Sequence, residues 1–133
     1  MKKVFLIFIF LLAIRSFSQN ISLDEKEMTT LLCKTWKLNY GETNGQKISG
    51  LDILDDVYQF SADKTYTFGS VKSSFVKGFW KYNVEMKRVE LYAEDHTLNA
   101  WIKSIDLNEF ILLPSEKSVR ENFNLEFHFE PGL

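Results

Sequence analysis

Short segments in which apolar and polar residues alternate run through most of this chain. Trp36, Leu38 and Tyr40 fall on one face of an extended strand, and the polar residues between them fall on the other. The last such segment places four apolar residues at every second position: Phe123, Leu125, Phe127 and Phe129. A period of two predicts half-buried strands, each with an apolar face that another element must cover.

About eight such segments follow one another, and turn residues separate them. Asn44-Gly45 and Ser61–Lys64 are the clearest turns. Only residues 23–33, after a cap at Ser22, show helical spacing. We predict an all-β, antiparallel up-and-down barrel with a short N-terminal helix. Closure is favoured over a two-sheet sandwich because consecutive hairpins need no long crossing connection.

Three stretches between the predicted strands have no clear periodicity. They are a long first connection at 41–56, a polar and basic connection at 69–77, and a charged stretch at 115–120. We predict loops at all three. Cys33 is the single cysteine of the chain, so no internal disulfide can form. It is expected to be a small apolar residue on the helix.

The first 18 residues have the features of an export signal. A basic start at Met1–Lys3 precedes an apolar run, and Ser16 and Ser18 supply the small residues that a signal peptidase reads. The run is about eleven residues long, whereas a membrane-spanning helix needs about 20. We predict a signal peptide at 1–18 and a barrel domain at 19–133, secreted or periplasmic, with no membrane span after cleavage.

Charge and motif content argue against several functions. Without Lys2, Lys3 and Arg15 the net charge of -2 becomes about -5, which disfavours nucleic acid or an anionic membrane surface as a partner. His96 and His128 stand alone in the sequence, and His128 is expected to face solvent. No metal-ligand spacing, nucleophile elbow or phosphate loop occurs. We predict no metal, no cofactor and no enzymatic activity.

The order of these features resembles the secreted lipocalin-like domains of Bacteroidetes-type bacteria. The resemblance covers about residues 30–113 and rests on three motifs: Trp36-Lys37-Leu38 after a short helix, the hairpin Tyr58–Phe68, and Gly78-Phe79-Trp80-Lys81-Tyr82. Lys34 and Lys64 stand where those domains have glycine. Lys64 must therefore adopt a positive φ, or its turn must change type.

The resemblance implies binding of a small hydrophobic ligand by a secreted or periplasmic bacterial protein. It places Trp36 as a plug at the closed end of the barrel, with Arg120 stacked on it and Arg88 as the alternative cation. The residues expected to line the interior are aromatic: Tyr40, Tyr58, Tyr66, Phe68, Trp80 and Tyr82. The alternative is a filled barrel whose loops act as an envelope or extracellular protein-interaction module.

Overall fold

The structure, a computed structural model, describes residues 23–48, 56–70 and 74–132. The predicted signal peptide, the cap at Ser22 and most of the far half of the first connection lie outside the described residues. Of the helices within them, none is long and apolar enough to span a membrane.

Two helices and nine strands follow one another in the described residues. They are α1 (Glu25–Leu32), β1 (Thr35–Thr43), β2 (Gln46–Ile48), β3 (Val57–Phe60), β4 (Thr65–Gly69), β5 (Val76–Asn83), β6 (Arg88–Ala93), β7 (Leu98–Ile105), β8 (Phe110–Pro114), α2 (Lys117–Phe123) and β9 (Leu125–Pro131). Each strand pairs antiparallel with its neighbours in the order β2-β1-β3-β4-β5-β6-β7-β8-β9, and β9 also pairs with β1. Eight strands therefore close into a barrel, with β2 as an extra strand on β1. The predicted fold class is confirmed.

Helix α1 packs against one end of the barrel. The Asp24 side chain caps it by accepting a hydrogen bond from the Glu27 amide at 2.8 Å. Met28 and Leu32 are fully buried on one helix face and join the barrel core. Cys33 ends the helix half-buried, and burial raises the pKa of its thiol.

Trp36 follows α1 and lies completely buried beside it. Its indole N–H donates to the Leu32 carbonyl at 3.0 Å, and its ring meets Phe110 edge-on at 4.9 Å between centroids. A buried indole needs such a partner for its N–H. The end of the barrel beside α1 is thus closed by an aromatic side chain and a helix.

Two turns have the backbone that the sequence predicts. Asn44 and Gly45 have φ of 53° and 80°, the pair of positive values typical of a two-residue type I′ hairpin. Lys64 has φ of 73°, so it adopts the left-handed conformation without being glycine. Its ammonium group lies 2.8 Å from Glu25 on α1 and 4.1 Å from the ring centroid of Trp80. The lysine thereby ties the β3–β4 turn to the helix.

The stretch 115–120, which we expected to be a loop, instead leads into helix α2. This helix has no side-chain cap at Glu116, and it ends at Asn124, whose φ of 45° is the left-handed conformation common after helices. Phe123 therefore belongs to α2 and is 58% exposed, so the alternation of the last strand begins only at Leu125.

Candidate functional site

A cavity of ≈ 300 Å³ lies inside the barrel, at the end away from α1. Its lining is mostly apolar: Leu38, Asp56, Tyr58, Tyr66, Phe68, Val76, Asn99, Ala100, Leu112, Pro114, Phe127 and Phe129. The β3–β4 turn faces α1 through Lys64, so Phe68 and Val76, at the far ends of their strands, mark the opposite end. Fully buried side chains thus fill the end of the barrel beside the helix, and the cavity lies at its other end.

The β3–β4 hairpin supplies the aromatic wall of the cavity. Tyr58 and Phe68 are directly opposite each other in the ladder, and their rings stack at 4.2 Å. Phe129 of β9 meets Tyr58 at 5.2 Å and completes this wall. Burial raises the pKa of Tyr58 well above its ordinary value, so its hydroxyl stays neutral.

Tyr66 reaches across the wall of the barrel because its partner on β5 is a glycine. Tyr66 and Gly78 are opposite each other in the ladder, and the tyrosine hydroxyl donates to the Tyr92 carbonyl on β6 at 3.2 Å. A Cβ atom at position 78 would lie 2.5 Å from the Tyr66 ring. Burial raises the pKa of Tyr66, although a hydrogen bond with Asn99 opposes the rise. Gly78 therefore allows the Tyr66 hydroxyl to lie at the edge of an apolar cavity.

Three of the six predicted lining residues, Tyr58, Tyr66 and Phe68, border the cavity. Trp80 and Tyr82 point inward but lie at the closed end. The Trp80 indole donates to the Ser61 carbonyl at 2.9 Å, and the Tyr82 hydroxyl donates to the Leu23 carbonyl beside α1. These two residues therefore anchor the floor.

Tyr40 lies on the outer wall instead of the interior. The register between β1 and β9 shifts between Leu38 and Tyr40, so a bulge interrupts the alternation at this point. Tyr40 consequently stacks on His128 of β9, with ring centroids 4.3 Å apart, and the Lys47 ammonium lies 4.4 Å from its ring.

Arg120 stacks on Trp101, not on Trp36 as we expected. Its guanidinium lies 4.6 Å from the Trp101 ring centroid, and Arg88, the alternative cation, lies 4.1 Å from the same ring. Arg120 also donates to two carbonyls at the end of β8, which holds it on the outer wall. The cation over Trp36 is Lys34, at 4.6 Å.

A cluster of ionisable residues on the outer wall was not foreseen from the sequence. We expected His128 to face solvent, but it is only 6% exposed because Tyr40 covers it and three carboxylates surround it. These carboxylates belong to Glu42, Glu109 and Glu126. Glu42 lies on β1 and Glu126 on β9, whereas Glu109 directly precedes β8, and Glu42 meets His128 only because β1 pairs with β9.

Comparisons with known proteins identify the fold only. No profile of a known family and no curated protein matches the sequence. Among solved structures, the chain is similar to the crystal structure of a DUF4847 family protein from Bacteroides vulgatus. The two share 15% sequence identity with a TM-score of 0.56, over 75% of this chain and 93% of that one. At this identity the likeness shows a common barrel fold.

Proposed function

We propose that this chain is an exported, lipocalin-like bacterial protein that binds a small, mostly apolar molecule in the barrel cavity. The observation that carries the proposal is the ≈ 300 Å³ space lined by aromatic and aliphatic side chains. Ligand sites in proteins typically measure about 300–1,000 Å³. The cavity is at the lower limit of this range, which favours a molecule of one or two rings, or a medium-length acyl chain.

The arrangement suits binding more than catalysis. Tyr66 and Asn99 offer hydrogen-bonding groups at the cavity edge, and the walls around them are apolar. A few polar groups in an apolar cavity orient a ligand, and exclusion of water supplies most of the affinity. We therefore propose a carrier or sensor that has no catalytic activity.

Ala100 offers a direct test, because it is buried and lines the cavity. The neutral fluorescent probe N-phenyl-1-naphthylamine is titrated into the parent, into Ala100→Leu and into Ala62→Leu, whose new side chain lies on an exposed turn. We expect saturable binding near one probe per chain in the parent and in Ala62→Leu. Ala100→Leu should weaken it by about tenfold or more, which corresponds to about 1.4 kcal/mol.

The stability of Ala100→Leu separates an open interior from a filled one. If the cavity is open, the larger side chain occupies existing space, and the free energy of unfolding should stay level or rise. A solid interior would be overpacked instead, at a cost of about 1–3 kcal/mol. Loss of stability together with no saturable probe binding in the parent would contradict the proposal.

The second candidate is the protein-interaction module. It is favoured by Phe75 and Val76, which are 55% and 56% exposed at the start of β5, beside the cavity. Exposed large apolar side chains on a connection between strands are typical of contact surfaces. Under this alternative, Phe75→Ser, whose side chain is not among those lining the cavity, should abolish partner capture from an extract of envelope proteins. Under ligand binding the same variant should leave the probe affinity within a few fold.

Export is the remaining part of the proposal. Mass spectrometry of protein from the native host should find a mature chain that begins at Gln19, or within a residue or two of it. Intact Met1 on membrane-embedded protein would refute the secreted or periplasmic assignment.

A further inference from the structure

We propose that the outer wall of the barrel binds a divalent transition-metal ion of the zinc type through Glu42, Glu126 and His128. The three residues lie on β1 and β9, outside the barrel, so the site is separate from the cavity. Their nearest side-chain ligand atoms all lie within 4.8 Å of one another.

The imidazole of His128 is the first support. Its Nε2 atom is buried and has no hydrogen-bond partner in the described structure. It nevertheless lies 3.4 Å from Glu42 Oε2 and 3.6 Å from Glu126 Oε1. These distances are within ion-pair range, but the atoms do not have the geometry of a hydrogen bond. A buried nitrogen without a partner costs free energy, and a bound ion between the three atoms removes that cost.

Glu109 prepares the imidazole for this role. Its carboxylate contacts His128 Nδ1, on the opposite side of the ring from the two other glutamates. A carboxylate that accepts the Nδ1 hydrogen leaves Nε2 as a lone pair, which is the form that binds metal. Tyr40 stacks on the ring at 4.3 Å and fixes its plane. A metal-bound histidine commonly donates its second N–H to a carboxylate in this way.

Charge is the second, independent support. Glu42 and Glu126 are directly opposite each other on paired strands, and like charges in this position destabilise a sheet. Lys103 pairs with Glu126 Oε2 and leaves Oε1 directed towards His128. Three carboxylates and one ammonium leave a net formal charge of -2 around the imidazole, and a divalent ion would neutralise it.

Two of the three ligand separations match a small ion, and the third, between the two glutamate oxygens, is within 4.8 Å. At Zn–N and Zn–O bond lengths of about 2.0–2.1 Å, two ligands of a tetrahedral site are about 3.3 Å apart. The separations of 3.4 Å and 3.6 Å from Nε2 are within a few tenths of this value. Calcium and magnesium prefer all-oxygen sites, so the imidazole favours a transition metal. Three protein ligands leave a fourth position for water.

The binding test uses the untagged mature chain and a calorimetric titration with Zn²⁺. We expect one ion per chain for the parent and for Glu130→Gln, which removes a half-exposed carboxylate from the same strand. Glu42→Gln keeps the shape of a ligand but removes its charge, and should lose high-affinity binding. Glu109→Gln should weaken binding by about 10–100-fold, as expected for a group that positions a ligand.

Magnetic resonance of the parent tests the same proposal without a variant. The chain has two histidines, and His96 is exposed, so it serves as an internal control. One equivalent of Zn²⁺ should shift the Nε2 resonance of His128 and leave His96 unchanged, and excess Ca²⁺ should not reverse the shift. Equal response of both histidines, no response of His128, or equal affinity for Zn²⁺ in Glu42→Gln and Glu130→Gln would overturn the proposal.

Discussion

Replacing Gly78 with alanine should destabilise the barrel, although a glycine-to-alanine change within a strand would ordinarily stabilise it. The added methyl group would lie 2.5 Å from the Tyr66 ring and 2.3 Å from the Tyr92 carbonyl oxygen. Contacts under 3.0 Å are essentially never seen for Cβ atoms, so the ring must retreat by about 0.5 Å, from 2.5 to 3.0 Å. The carbonyl belongs to the β6 backbone and has less freedom to move.

The magnitude follows from three opposing contributions. Overpacking costs about 1–3 kcal/mol, and loss of the hydrogen bond from Tyr66 to the Tyr92 carbonyl costs about 1 kcal/mol. The lower entropy of the unfolded alanine chain returns only about 0.4–1 kcal/mol. The steric contribution therefore prevails, and we expect Gly78→Ala to lose about 1–3.5 kcal/mol of unfolding free energy.

Urea unfolding followed by tryptophan fluorescence measures this loss. Gly45→Ala is the control. A Cβ atom at position 45 would meet no other atom within 4 Å, so the only cost there comes from the φ of +80°. It should cost about 1–2 kcal/mol for backbone conformation alone. In a Tyr66→Leu background, the penalty of Gly78→Ala should fall by about 1 kcal/mol, because the ring is gone and only the carbonyl contact remains. An unchanged urea midpoint for Gly78→Ala, or an unchanged penalty in the Tyr66→Leu background, would refute the reasoning.

Two further predictions concern the core and the outer wall. Trp36→Ala should cost about 3–5 kcal/mol with or without ligand, because it removes a fully buried ring and its hydrogen bond to the Leu32 carbonyl. Trp101→Ala, on the outer wall, should cost less in the same urea assay. Burial raises the pKa of Glu90, but hydrogen bonds from neighbouring side chains and the charge of Arg88 together bring it below the ordinary 4.5. Its stabilising contribution is therefore complete above pH 4.5 and is lost as the pH falls through the lower folded value, so the parent should lose more stability between pH 5 and pH 3 than Glu90→Gln. Equal losses in the two proteins would show that Glu90 contributes nothing to acid sensitivity.

Alternation of apolar and polar residues predicts which face of a strand a residue occupies. The inward-facing residues could therefore be predicted from the sequence. Tyr58, Tyr66 and Phe68 point inward as a period of two requires. Depth along the barrel axis depends on the stagger between strands, which the sequence does not state. Trp80 and Tyr82 were therefore assigned to the right face but to the wrong end.

Local irregularities and the pairing of distant strands explain why the surroundings of Tyr40, His128 and Arg120 were not predicted. The bulge after Leu38 reverses the alternation, so Tyr40 lies outside the barrel. The environment of His128 depends on the contact between β1 and β9, and no local pattern in either strand predicts it. Arg120 lies next to the β8 carbonyls because residues 117–123 form a helix, which a charged stretch without a side-chain cap gave little reason to expect.

The pairing of β1 with β9 also sets the order in which the barrel can fold. The hairpins from β3 to β8 join neighbouring segments, but Leu38 must find Phe129, and the Gly132 amide must reach the Thr35 carbonyl. Contacts between such distant residues form late, because closing a long loop is entropically unfavourable. Until β9 arrives, both β1 and β9 expose unpaired edges that can join other chains. We expect β1 to be the segment that a folding chaperone has to protect.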